Sequence, residues 1–190
     1  MLINKFEKFV TLFGVALSDK EQILDLRPSA MGNLGSTMAS PGSSSSLINN
    51  SPNNDEQKYV TFSPGIQLDK MSQYLPRGRP VVLKVDVEGA ECDALSEGLD
   101  YLSSLSIEYV SIEWSYKRLQ TCKNREALFD LFLNNGLKPF LHVSASGDEV
   151  NFEMLDHKNI EGWKQRGNFP NVGLYDIVWS KENPKTYVLP

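Results

Sequence analysis

Val81-Val82-Leu83-Lys84-Val85-Asp86-Val87-Glu88-Gly89-Ala90-Glu91 is the stretch on which the reading of this chain turns. Its first half is a nearly continuous apolar, β-branched run, the pattern of a strand buried on both faces. The run then breaks into Asp86, Glu88 and Glu91, and Gly89 gives the backbone room to turn. Beyond it, Leu95, Leu99 and Leu102 recur at helical spacing and predict one helix from about Glu91 to Leu102. A buried parallel strand that ends in acid and feeds a helix places carboxylates where open α/β sheets hold their ligands. For Glu88 and Glu91 a second reading stays open, that they favour the positive N-terminus of the helix.

The whole chain sets limits around that stretch. It has 190 residues, 41% apolar and 23% charged, enough for one domain with a sizeable core. A net charge of −5 and no visible basic face argue against a nucleic-acid partner. No apolar run is long enough to span a bilayer, and the lysines and glutamate scattered through the N-terminal stretch make a poor secretory leader. Cys92 and Cys122 are the two cysteines, with no CxxC and only His142 and His157 beside them. Neither a structural zinc site nor a disulfide framework is expected, no metal ligands are assigned, and a soluble, reducing, cytoplasmic setting fits.

In chain order, Phe9 to Leu17 reads as a strand and Ile23 to Leu26 as a short extended piece. From Gly32 to Gln57 the composition shifts to Ser, Asn, Gly and Pro, which predicts a flexible insertion. Tyr59 to Phe62 is extended, Pro64-Gly65 turns it, and Asp69 caps a short helix through Tyr74. After the Val81 strand and its helix come a strand at Ile107–Trp114 and an amphipathic helix from Glu126 to Asn134. Asn135-Gly136 is that helix's C-cap. Leu137–Val143 and Leu174–Trp179 are further strands, with a polar excursion holding Glu153, His157 and Trp163 between them. The layout is α/β, parallel strands finished by an antiparallel hairpin. His142 and His157 read as ordinary strand or surface histidines, and Trp114, Trp163 and Trp179 as core.

Several of these pieces, in this order, resemble the FkbM family of S-adenosylmethionine-dependent methyltransferases. GVALSD (Gly14 to Asp19) is similar to the family's third strand and its turn, NLGSTM (Asn33 to Met38) to its Asn-Gly-Ser segment, and IQLDKM (Ile66 to Met71) to its Leu-Asp helix start. LKVDVEGAE (Leu83 to Glu91) resembles its most distinctive signature, and SIEW (Ser111 to Trp114) its fifth strand. The resemblance runs from about Phe9 to Gly136. It implies a Rossmann-like class I methyltransferase sheet and O-directed methyl transfer to a small-molecule or glycan-like acceptor. It further implies that Asp86 orients or deprotonates the acceptor, with Glu88 sharing that role. Ala16, Leu17 and Asp19 would contact the adenine of S-adenosylmethionine, and Glu113 would face substrate.

No stretch before Phe9 matches the family's first strand and glycine-rich turn or its second strand with the ribose-binding acid. The expectation is therefore a single incomplete domain over residues 1–190, inactive and weak in cofactor binding by itself. In this class the strands lie in the order third, second, first, fourth, fifth, seventh, sixth. Without the first two, the Val81 strand either pairs with the Phe9 strand or lies at an open edge prone to self-association. Two other readings stand beside the enzyme. One is a non-catalytic remnant or interaction fragment. The other is a hydrolase using Asp86 and Glu88, for which the chain is too short to form a (β/α)8 barrel.

Overall fold

The chain closes two mixed sheets, seen in a computed structural model that describes residues 10–28, 37–42, 61–75, 78–144, 150–159 and 174–184. The strands are β1 (Ala16–Leu17), β2 (Gln22–Pro28), β3 (Thr37–Pro41), β4 (Thr61–Ile66), β5 (Pro80–Val85), β6 (Ser106–Ser115), β7 (Lys138–Ser144), β8 (Val150–Met154) and β9 (Leu174–Ser180). The helices are α1 (Glu91–Ser96), α2 (Leu99–Ser103), α3 (Tyr116–Thr121) and α4 (Arg125–Asn134), and a 3-10 helix spans Leu68–Gln73. One sheet has the order β1-β4-β2-β3 and the other β5-β6-β9-β7-β8. The pairs β1–β4 and β5–β6 are parallel; the remaining pairs are antiparallel. No described helix is long and apolar enough to cross a membrane.

The core lies between the larger sheet and the helices. Ile107, Val110, Ile112 and Trp114 of β6 and Ile177 and Trp179 of β9 are buried against Leu95, Leu102, Leu128, Phe129 and Phe132. The alternation along β6 slips at Glu108, where the register with β5 jumps from Val81↔Ile107 to Val82↔Tyr109. That bulge lets Ile107 and Val110 both point inward and turns Tyr109, Ser111 and Glu113 to the opposite face. Phe132 packs its ring 5.1 Å from that of Trp179, and Phe129 lies 5.0 Å from the same indole. Each such aromatic pair is worth about 0.5–1.5 kcal/mol beyond area burial. Trp114 and Trp179 are core, as expected, whereas Trp163 lies outside the described residues.

Helix α4 ends as its sequence predicts. Gly136 takes φ 78, its amide donates to Leu133 O at 2.8 Å, and the Leu137 amide donates to Phe132 O at 3.0 Å. This is the Schellman pattern, in which a residue without Cβ satisfies the last carbonyls. Asn135 Oδ1 then accepts from the Ile107 amide at 3.1 Å, tying the end of α4 to the start of β6.

Several expectations need correction. Strand β5 is covered on one face only: Val81, Leu83 and Val85 pack on the core, whereas Val82 is 69% exposed and Lys84 is exposed. Among the described residues β5 pairs with β6 alone, so it is an edge strand of the larger sheet. The strand expected over Phe9–Leu17 is reduced to Ala16–Leu17, because parallel pairing with Gly65 and Ile66 starts only there. Pro64-Gly65 does not turn the chain but continues β4, whose Gly65 also pairs with Gln22. A Cβ on Gly65 would lie 2.9 Å from Leu24 Cδ1, so the close approach of β2 requires glycine.

The insertion is not wholly a loop either. Thr37–Pro41 forms β3 against β2, with the register Asp25↔Ser40, and Gly42 follows it; the rest of Gly32–Gln57 is outside the described residues. The single helix expected from Glu91 to Leu102 is two, broken at Gly98, where a Cβ would lie 2.7 Å from Leu68. Asp69 sits in the first turn of the 3-10 helix rather than capping it, and Gln67 is the cap position. Strand β8 lies in the stretch read as a polar excursion.

The cysteine reading is overturned as well. Cys92 and Cys122 form a disulfide that closes a 30-residue separation between α1 and the α3–α4 turn. Spacing rules for CxxC motifs do not find it, because the fold, not the local sequence, brings the two residues together. Loop-closure entropy makes such a bond worth about 3–4 kcal/mol. The argument for a reducing compartment loses its basis with it.

Candidate functional site

Strand β5 ends at Val85, and Asp86 to Ala90 make the turn that carries the acids into α1. Glu88 adopts φ 53 and Gly89 φ 94, so two consecutive residues are left-handed. For glycine this is free, but for a glutamate it costs on the order of 1–3 kcal/mol unless the surroundings hold it. They do so through Glu91. That residue is only 3% exposed, and its Oε1 accepts from the Gly89 amide at 3.0 Å and, longer, from the Val87 amide at 3.4 Å. Of the two readings open for Glu91, the structure bears out the second: it stands in the first turn of α1, with its carboxylate turned onto the amides at that end. It is a positioning residue inside the turn.

The turn projects Glu88 beside Asp86 and toward β6. Asp86, Glu88 and Glu113 each offer a carboxylate oxygen, and these atoms all lie within 4.8 Å of one another. Glu113 reaches the group because the β5–β6 register pairs Val85 with Ile112, leaving Asp86 level with Glu113. Two residues predicted for catalysis and one predicted for substrate thus meet at the carboxyl ends of adjacent parallel strands. Such a trio could hold a divalent cation, and exposed acidic groups also cluster without one.

Two further charges at this rim escaped the sequence reading. Asp176 of β9 lies directly across from Glu113 in the antiparallel register. Lys84 donates to Asp86 Oδ2 at 2.6 Å. No spacing signal could find Asp176, since it is distant in sequence and joins only through the β6–β9 pairing. Lys84 was inside the quoted stretch, two residues before Asp86, the separation that puts both side chains on one strand face.

The electrostatics follow from that crowding. Partial burial, then the neighbouring charges of Glu88, Asp176, Asp86 and Glu91, raise the Glu113 carboxyl above the usual glutamate range. The hydrogen bond to Asp86 raises the Lys84 ammonium against an opposing desolvation, with the fields of Asp86, Asp176 and Glu113 adding to the rise. The Lys84–Asp86 pair is solvent-exposed, so it orients the two groups more than it stabilises the fold.

The three residues expected to meet the adenine lie elsewhere. Ala16 and Leu17 form β1, half-buried in the smaller sheet, and α1 packs against that strand. Asp19 follows in an exposed turn, where its Oδ1 accepts from Gln22 Nε2 at 3.2 Å and its backbone carbonyl accepts from Gln67 Nε2 at 3.3 Å. Asp19 nonetheless lines one cleft of about 240 Å3 together with Gly89, Cys92, Asp93, Lys123 and Asn124. A cleft of about 450 Å3 lies apart from the acids, lined by Arg125, Glu126, Phe129 and Asp130 of α4 and by His157 and Lys158. Comparison with protein-family models, curated proteins and solved structures finds no match to this chain.

Proposed function

We propose that this chain carries the acceptor side of an S-adenosylmethionine-dependent methyltransferase of the FkbM type, directed at oxygen. The observation that carries the reading is the meeting of Asp86, Glu88 and Glu113 at the carboxyl ends of parallel β5 and β6, the position where open α/β sheets work. The strand order β5-β6-β9-β7 is in keeping with it, since it follows the fourth, fifth, seventh and sixth strands of that class. The cleft between Asp19 and Gly89 fits one edge of the donor only. Its volume of about 240 Å3 falls below that of a typical ligand pocket, roughly 300 Å3 and upward.

When bound, S-adenosylmethionine supplies an electrophilic methyl group on a sulfonium. This chain's residues act on the other partner. Asp86, exposed at the strand end, accepts the proton of the incoming hydroxyl, and Glu88 shares its alignment. Glu113, with its raised carboxyl, stays protonated further toward neutral pH than an ordinary glutamate and donates a hydrogen bond to the acceptor. Lys84 holds Asp86 in place. Much of the effect is alignment for an in-line displacement.

The test is methyl transfer from labelled donor to a panel of hydroxyl-bearing acceptors, by the chain extended with the frame encoded upstream of Met1. Asp86→Asn lowers turnover by roughly 100- to 10,000-fold and leaves donor affinity nearly unchanged. Full turnover in Asp86→Asn removes that residue from the reaction.

A second reading, a non-catalytic fragment that associates through its sheet edge, is favoured by the edge of β5 left unpaired among the described residues and by the exposed Val82 on its open face. Sedimentation of the chain and of Val82→Lys separates the two. Association abolished by the lysine supports the fragment, and a monomer in both supports the enzyme.

A further inference from the structure

We propose that the Cys92–Cys122 disulfide is a redox lock on the acidic turn. It rests on the reading of the Asp86 cluster as the working site, and it concerns how that site is kept assembled. The bond joins the second residue of α1 to the turn between α3 and α4. The residue before Cys92 is Glu91, the buried carboxylate that holds the Gly89 and Val87 amides and with them Asp86 and Glu88. Fixing Cys92 therefore fixes Glu91, and through Glu91 the turn.

Helix α1 is held by the packing of buried Ala94 and Leu95 and, in its first turn, by the disulfide. It is six residues long, has no side-chain hydrogen bond at its N-cap position Ala90, and carries no basic residue in its last turn. A helix this short is not stable on its own propensity. Two left-handed residues precede it, at Glu88 and Gly89, so the turn relaxes once its restraints go. On loss of the bond, local opening is expected in the turn and the first residues of α1, ahead of buried Ala94 and Leu95.

The bond is also placed to be reached. Cys92 is half-buried, and both cysteines line the open cleft that contains Asp19, Gly89, Lys123 and Asn124. Lys123, next in sequence to Cys122, favours an incoming thiolate at that cleft. The chemistry needs a dithiol reductant. Its thiolate attacks one sulfur to give a mixed disulfide, and its second thiol displaces the protein. Two electrons and two protons pass to the chain, leaving Cys92 and Cys122 as thiols and the reductant as a disulfide. Ser96 Oγ, 3.4 Å from Cys92 Sγ, is ready to bond the thiol. Oxidation holds the cluster assembled and reduction releases it.

Hydrogen exchange on the oxidised chain and on the same chain reduced with dithiothreitol under native conditions tests the lock without any assay of turnover. Exchange of the amides from Val87 to Leu95 should rise by roughly tenfold or more on reduction, while the centres of β6 and β9 change by less than about threefold. Titration in mixtures of reduced and oxidised glutathione should show a reversible midpoint in native buffer. Cys92→Ser should exchange like the reduced chain and give no response to glutathione. Equal exchange in both states overturns the lock, as does loss of protection through the whole chain, which would make the bond a global staple. A bond that resists reduction without denaturant overturns it too. Full turnover in Asp86→Asn tells against the proposed function and leaves the exchange result standing.

Discussion

Glu91 closes on Gly89: its buried Oε1 accepts the glycine amide at 3.0 Å, two residues back along the chain. That one contact converts a turn with a left-handed glutamate into a platform for Asp86 and Glu88. Glu91→Ala leaves the Gly89 amide without its acceptor, and a buried donor stripped of its partner costs about 1–3 kcal/mol. Thermal unfolding should report that loss. Exchange of the Val87 and Gly89 amides should rise with it, whereas Glu126→Ala on the exposed face of α4 should move neither.

Glu113 faces Asp176 across the β6–β9 ladder, and its carboxyl is raised by burial and by the acids around it. The sign of the pH effect follows. A carboxyl whose folded pKa lies above its unfolded value gives stability that is full below the unfolded pKa and is lost as pH rises through the folded one. Glu113→Gln should therefore match the parent below the ordinary glutamate range and exceed it at neutral pH. Relief of one like-charge cross-strand pair is worth about 0.2–1 kcal/mol. Melting curves against pH check this; a variant less stable at neutral pH contradicts it.

Gly98 stands between α1 and α2 where Leu68 occupies the space a side chain would need, with its Cβ, Cδ2 and Cγ all within 2.8 Å of the added atom. Gly98 is the N-cap position of α2, so Gly98→Ala gains no helix-interior propensity, and overpacking against the 3-10 helix costs about 1–3 kcal/mol. The expected outcome is net destabilisation in chemical denaturation. Pairing it with Leu68→Ala should recover part of the loss at Gly98, since the clash has a single source.

How much of this could be read in advance depends on the range of the interaction. The acids at the end of the Val81 run, the strand over Ile107–Trp114 and the Asn135-Gly136 cap were legible because each is a local pattern, a run, a period or a φ preference. So was the candidacy of Glu113, which ends an apolar strand as Asp86 does. What was hidden depends on partners far along the chain. The Cys92–Cys122 bond, the strand at Thr37–Pro41 and the placement of Asp176 exist only through tertiary pairing. The misread helix is the same case in part: Leu95, Leu99 and Leu102 keep helical spacing across the break, and Leu68, distant in sequence, is what leaves no room for a side chain at Gly98. The apolar run of β5 misled differently, since Val82 has the residue type of a covered position and sits on an open face.

The proposed function gives this chain the acceptor side of an S-adenosylmethionine site, without the glycine-rich turn that binds the donor. Titration calorimetry with S-adenosylhomocysteine on the 190-residue chain and on Asp86→Asn tests that division most directly. No saturable heat is expected from either. One-site, micromolar binding by the 190-residue chain would contradict it.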